Sequence, residues 1–284
     1  MESLENRKRP GLIPGLNVSK WPWWAIVLGL AGATLVFLII GSSNYQSTFF
    51  YLIQGIITTL RITFFSFLLA TLLGLPTGLA RISKNVFLRN LSMLYVEIAR
   101  GIPLLVLIIY IAYGIFPLFV TLITSIGNWG LILLPSSGFL QTLATFSIRD
   151  VTQEGRAIIA LGFGYGAFEA EVFRAGIQSI SKGQMEAAKS LGMTYFQGMR
   201  FIVLPQAIRR VLPPLGNDFI ACLKDSSLVS ILAVNELTQL GRLRTAGTFR
   251  AMETYNVVAF LYLSMTLILS TFVRWLENRM KIEE

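Results

Sequence analysis

Polar and apolar positions along this chain separate on a long wavelength. Apolar stretches of about twenty residues or more, the length that crosses about 30 Å of hydrocarbon, are divided by short segments rich in charge, Gly or Pro. Six stretches are expected to span a membrane, roughly 23–41, 51–80, 93–119, 156–180, 206–233 and 255–275. The pattern holds no heptads and no repeat of 20 to 50 residues, which excludes coiled coils and solenoids. The expected fold class is therefore all-α, a polytopic helical membrane protein. Gly74, Gly78, Gly162, Gly166 and Gly176 fall inside spans at small-residue spacings and predict close helix packing.

Two other segments read differently. Residues 117–154, with Gly127, Gly130 and Pro135, are broken too often by Gly and Pro to be a span. They are expected to form a long outer connection that dips back into the interface. The polar stretch 235–253 predicts a short surface helix on the same side.

Composition agrees with the class and narrows the function. Of 284 residues, 54% are hydrophobic and 14% charged, where soluble domains average about a quarter charged. The net charge of +9 suggests nucleic acid until the basic residues are placed. They sit mainly at the ends of apolar stretches, so membrane topology accounts for them. About fifteen of the 24 lie in the N-terminal tail (Arg7, Lys8, Arg9, Lys20), the Arg81/Lys84/Arg89 loop, the stretch from Lys182 to Arg210 and the cluster Arg274, Arg279 and Lys281. That distribution puts both termini in the cytoplasm. The first stretch is long, aromatic at its entry and without a small-residue cleavage site, as expected of an uncleaved anchor. One cysteine, Cys222, and no histidine exclude an intrachain disulfide and make zinc or haem sites untenable.

The polar interruption between the fourth and fifth stretches has its own grammar. Ser181-Lys-Gly-Gln184 is a capping-box sequence, and Gly192 suits the left-handed position that closes a helix. Thr194-Tyr-Phe-Gln197 is a second such box, and its helix is expected to end where Pro205 interrupts the ladder. Met185, Ala188 and Leu191 are expected to share one face, and Ala187 and Ala188 leave room for another protein's surface. From physics alone this is either a docking helix-turn-helix or an interfacial connector.

The order Glu186-Ala187-Ala188, Gly192, Ile202-x-Leu204-Pro205 resembles the EAA loop of bacterial ABC-importer permeases. Around it, Glu97-Ile-Ala-Arg100-Gly101-Ile-Pro103, the run from Gly164 to Gly176 and Leu223-Lys-Asp225-Ser-Ser-Leu228 are similar to the polar amino-acid branch of that family, taking histidine, glutamine or arginine. The resemblance covers roughly residues 54–281. It implies a permease domain at 49–284 with a coupling segment at 181–205, preceded at 1–48 by a tail and an additional anchor helix. It also implies a bacterial inner-membrane location and a second permease, identical or different. A cytoplasmic ATP-binding subunit would contact Glu186, Ala187, Ala188, Leu191, Gly192, Leu204 and Pro205, and an external substrate-binding protein would deliver an amino acid. ATP and Mg would sit on the partner ATPase, this chain binding no cofactor.

Ionisable residues inside spans cost several kcal/mol unless paired or facing a polar cavity, so each needs a reason. Glu97 with Arg100 and Glu171 with Arg174 have the i,i+3 spacing of local pairs. Glu169 and Asp218 have no such neighbour. With Glu171 they are candidate contacts for an ammonium group or cationic side chain, while Asn217 beside Asp218 can hydrogen-bond a zwitterion. Arg61 can meet a substrate carboxylate or pair with one of these acids. Gly216, after Pro213-Pro214, either loosens its span at a cavity or marks a plain kink. No G-x-x-x-x-G-K-[ST] sequence occurs, so the chain lacks a phosphate cradle of its own. The alternative reading is a secondary amino-acid transporter or channel, which also uses buried carboxylates but has no use for a docking element.

Overall fold

The computed structural model describes residues 23–280, and over these the chain is helical with no strand. The expected cytoplasmic tail at 1–22 and Lys281 lie outside the described residues. Thirteen α-helices follow in order, beginning with α1 (Trp23–Gly41), α2 (Ser43–Leu52) and α3 (Gln54–Arg81). Next come α4 (Val86–Gly101), α5 (Leu104–Tyr110), α6 (Phe116–Leu133), α7 (Gly138–Thr145) and α8 (Gln153–Gln178). The last five are α9 (Lys182–Ser190), α10 (Tyr195–Gly198), α11 (Leu204–Asp225), α12 (Leu237–Thr248) and α13 (Ala251–Met280). Four helical stretches are long and apolar enough to cross a membrane by composition: 23–41, 43–81, 104–133 and 251–279. The two remaining long helices, α8 and α11, carry the charges expected inside spans.

The central contact is α3 against α8, and glycine makes it possible. A Cβ on Gly78 would come within 2.7 Å of the Ala170 carbonyl oxygen, and one on Gly162 within 3.0 Å of the Ser66 carbonyl oxygen. Those glycines let two backbones approach where any side chain would hold them apart. Ile62, Leu107, Ile108, Leu161, Val229 and neighbours fill the core around this pair. A second core joins Leu52, Leu237, Val257, Val258 and Leu261 from α2, α12 and α13.

The third expected span, 93–119, is divided differently. Gly101 ends α4, Ile102 is extended, and Pro103 precedes a new helix. The apolar segment then runs from Leu104 to Leu133, so the first part of the expected outer connection at 117–154 belongs to a helical stretch long and apolar enough to cross a membrane, and α7 packs back against it. Gly127 and Gly130 are packing positions, not breaks: a Cβ on Gly127 would stand 2.3 Å from the Ala144 backbone nitrogen, and one on Gly130 2.7 Å from Leu140.

Pro117 and Pro205 are absorbed by the same device. A π-helical turn precedes each, at Ile111–Ile115 and Met199–Val203, and places the proline in the first turn of the following helix. There the missing N–H costs nothing. Pro205 therefore does not end the second helix of the docking element, which runs from Tyr195 without a break into α11. Gly216 belongs to packing as well, because a Cβ there would lie 2.6 Å from Val273 of α13. The 235–253 stretch contains α12, as expected, although Leu237 and Gly241 bury it against the bundle.

Candidate functional site

The docking element is built from its caps inward. The Ser181 hydroxyl accepts from the Gly183 backbone N–H at 3.2 Å, and the reciprocal Gln184 bond of the expected capping box does not form. Gln184 Oε1 instead accepts from Gln206 at 3.4 Å. The second box closes in full, with Thr194 and Gln197 each taking the other's backbone N–H. Gly192 has φ +79°, and the Gly192 and Met193 N–H groups donate to the Lys189 and Ala188 carbonyls. That is a Schellman closure, which needs a residue at ease in the left-handed region.

Met185 and Ala188 face inward. A Cβ on Gly198 would meet the Met185 sulfur at 2.9 Å and the Ala188 Cβ at 3.2 Å, so α9 rests directly on the start of the next helix. Ile180, Val203 and Ala207, with Met185 and Met199, make a small core beneath it. Arg210 donates to the Ser179 carbonyl at 2.8 Å, tying the end of α8 to α11. Leu191 does not share the Met185/Ala188 face: it lies in the closing turn and is 82% exposed. The outer surface of the element is thus Glu186, Ala187, Ser190 and Leu191, all exposed, with Tyr195 and Phe196 beside them.

The intramembrane acids separate into partnered and unpartnered groups. Glu171 bonds both Arg174, as the spacing predicts, and Arg81 of α3, 90 residues away in sequence. Arg61 pairs with Glu154 in the first turn of α8 at 2.6 Å instead of with an acid inside the bundle. Glu97 and Arg100 do not pair. Both are exposed on α4, and the Arg100 guanidinium stands 5.4 Å from the Phe168 ring centroid, a cation–π contact.

Among the described residues, Glu169 and Asp218 are the acids with a buried carboxylate oxygen left unpaired. Glu169 is fully buried, its Oε2 accepts from Thr71 at 2.8 Å, and its Oε1 has no partner. Asp218 Oδ2 is buried without a partner, while Asn217 beside it is exposed. Asp225 is taken by the Tyr165 hydroxyl at 2.7 Å, where α11 gives way to a 3₁₀ turn at Ser226–Leu232. Thr71, Arg81 and Tyr165 were invisible as site residues, because their partners are 60 to 98 positions distant.

Comparison with known proteins places this geometry. The family described as binding-protein-dependent transport system inner membrane component matches residues 70–282. The glutamine transport system permease protein GlnP of Escherichia coli K12 is 33% identical over 231 residues, 81% of this chain and 93% of its own. The chain belongs to this family. Other relatives of the permease include the nopaline transport system permease protein NocM of Agrobacterium fabrum, 34% identical over 81% of this chain and 89% of its own. Among solved structures, an amino acid ABC transporter crystallised with histidines is 32% identical with a TM-score of 0.66, covering 85% of this permease and 98% of that chain. The methionine transporter MetNI, at 18% identity and a TM-score of 0.60, shares the fold. Membership makes the chain a membrane-embedded transport subunit, which removes the secondary-transporter alternative.

Proposed function

We propose that this permease forms half of the translocation path of an ATP-driven amino-acid importer, pairing with a second permease and coupled to a cytoplasmic ATPase through α9. The observation that carries the reading is the seat of α9. Its inner face is locked to the beginning of α11 and the end of α8, while its outer face is exposed along Glu186, Ala187 and Leu191. A partner that displaces α9 therefore displaces two spans together, which is what alternating access requires. The sequence of the chain has no phosphate-binding loop, so ATP and Mg belong to the partner. Relatives named for glutamine and nopaline support an amino-acid substrate delivered by an external binding protein.

Within the proposed site, Asp218 and Glu169 form the acidic end for an ammonium group or cationic side chain, and Asn217 faces the path. Glu171 and Arg61 act by holding helices through Arg81, Arg174 and Glu154. In the proposed topology both termini are cytoplasmic, and residues 1–48 form an anchor ahead of the permease domain at 49–284. In support, α1 buries none of its residues. The test is reconstitution with the cognate ATPase and binding protein. Glu186→Lys is expected to abolish uptake and substrate-stimulated hydrolysis while the subunits still assemble, and unchanged coupling overturns the reading.

A further inference from the structure

A groove of about 680 Å³ lies between the second half of α3 and the first half of α4, floored by Phe163 of α8. Leu73, Leu79, Leu88 and Leu91 supply its walls. Along its helical walls the polar groups are engaged: the Thr77 and Ser92 hydroxyls donate to the Leu73 and Arg89 carbonyls, and Tyr95 donates to the Phe163 carbonyl at 2.6 Å, while Ser83, which accepts from the Asn85 N–H, sits at the end past α3. A polar substrate finds nothing to bond there, whereas a hydrocarbon chain does. From Leu73 to Ala80 the groove follows α3 for about 10 Å at the helical rise, with Ser83 just past the helix end, a reach that fits within half of a hydrocarbon core about 30 Å thick. It lies within one leaflet.

Basic residues adjoin the end of the groove. Lys84 and Arg89 directly follow the lining residues Ser83 and Leu88 in the chain and are exposed, and neither side chain has a hydrogen-bond or ion-pair partner among the described residues. Arg81, beside them, is already committed to Glu171. Unpaired cations at the membrane surface beside an apolar slot within one leaflet are complementary to one ligand chemistry. We propose that this groove binds an anionic phospholipid of the cytoplasmic leaflet, with an acyl chain between α3 and α4 and the headgroup phosphate at Lys84 and Arg89.

The inference rests on the cytoplasmic placement of the 81–89 loop, so its test has two arms. In the assembled transporter held in nanodiscs of phosphatidylcholine with trace phosphatidylglycerol, native mass spectrometry reads the lipid retained. Lys84→Gln with Arg89→Gln is expected to weaken phosphatidylglycerol retention by about thirtyfold, the effect of two basic residues at a charged surface, and to leave phosphatidylcholine unchanged. Lys84→Arg with Arg89→Lys is expected to keep it. Undiminished phosphatidylglycerol in the Gln variant overturns the site, as does photo-crosslinking of a benzophenone label on Leu91→Cys to the second permease, which would mean that protein fills the groove. The second arm labels Val86→Cys from either side of the membrane. Labelling from inside, with lipid loss, supports the proposal, and labelling from inside without lipid loss rejects the site while the topology stands. Labelling from outside rejects the topology and the leaflet assignment together.

Discussion

A Cβ built on Gly74 would stand 2.8 Å from the Cβ of Glu169, so α3 and α8 meet at the level of a fully buried acid. The contact places the Glu169 carboxyl beside Thr71 and leaves no slack for it to swing away from α3.

Gly74→Ala is accordingly expected to separate the two helices and destabilise the permease by about 1–3 kcal/mol, the usual cost of overpacking a close contact. Thermal unfolding of the purified complex measures it. Gly29→Ala is the control, because a Cβ there meets nothing within 4 Å. Equal melting temperatures for the two variants would mean that α3 and α8 yield more easily than their spacing indicates.

Gly192 supports a second prediction. At φ +79° an alanine costs about 1–2 kcal/mol, so Gly192→Ala is expected to fray the end of α9 and turn the Leu191 surface away from its partner. Substrate-stimulated ATP hydrolysis should fall severalfold in the reconstituted complex while basal hydrolysis by the ATPase persists. Gly192→Asn, which tolerates the left-handed region better, is expected to lie between the two.

What the sequence made legible was local. The helical class follows from contiguous apolar stretches of about twenty residues, and the closing role of Gly192, the second capping box and the Glu171–Arg174 pair follow from spacings of three to eleven residues. The Arg81–Glu171 and Thr71–Glu169 contacts cross 90 and 98 residues, and no periodicity announces them. Glycine was the ambiguous letter. At Gly74 and Gly78 it read correctly as packing, although Pro76 stands between them inside α3. At Gly127 and Gly130 neighbouring prolines made the same residue type look like a break, although α7 needs those positions empty. Pro205 misled similarly, since a π turn that relieves a proline leaves no mark in composition.

The Glu171 cluster predicts a stability effect. Glu171→Gln leaves Arg81 and Arg174 facing each other without the carboxylate between them, and Arg81 is largely buried, with 13% of its side chain exposed. A loss of about 1–3 kcal/mol is expected from stranding buried polar partners. Exchanging the charges, Arg81→Glu with Glu171→Arg, should recover part of it if the α3–α8 ion pair is the cause. No recovery would point to Arg174 as the partner that matters.

Asp218 predicts the opposite separation. Its Oδ2 is buried without a partner, so Asp218→Asn breaks no hydrogen bond among the described residues and is expected to leave the unfolding stability within about 0.5 kcal/mol of the parent, the usual scale of a substitution that removes no contact. If the carboxylate instead receives a cationic group from the cargo, removing its charge should cost about 1.5–3 kcal/mol of transit-state binding, as for a hydrogen bond to a charged group. Transport of a cationic amino acid would then fall by about tenfold or more relative to a neutral one. The comparison must be made on uptake with saturating binding protein, so that selection before the membrane step is held constant. Glu171→Gln, carried through the same assay, should lower transport of both cargoes alike through its effect on folding. Equal loss of both cargoes in Asp218→Asn would remove this acid from the substrate path and leave Glu169, with its buried Oε1 unpaired, as the remaining candidate.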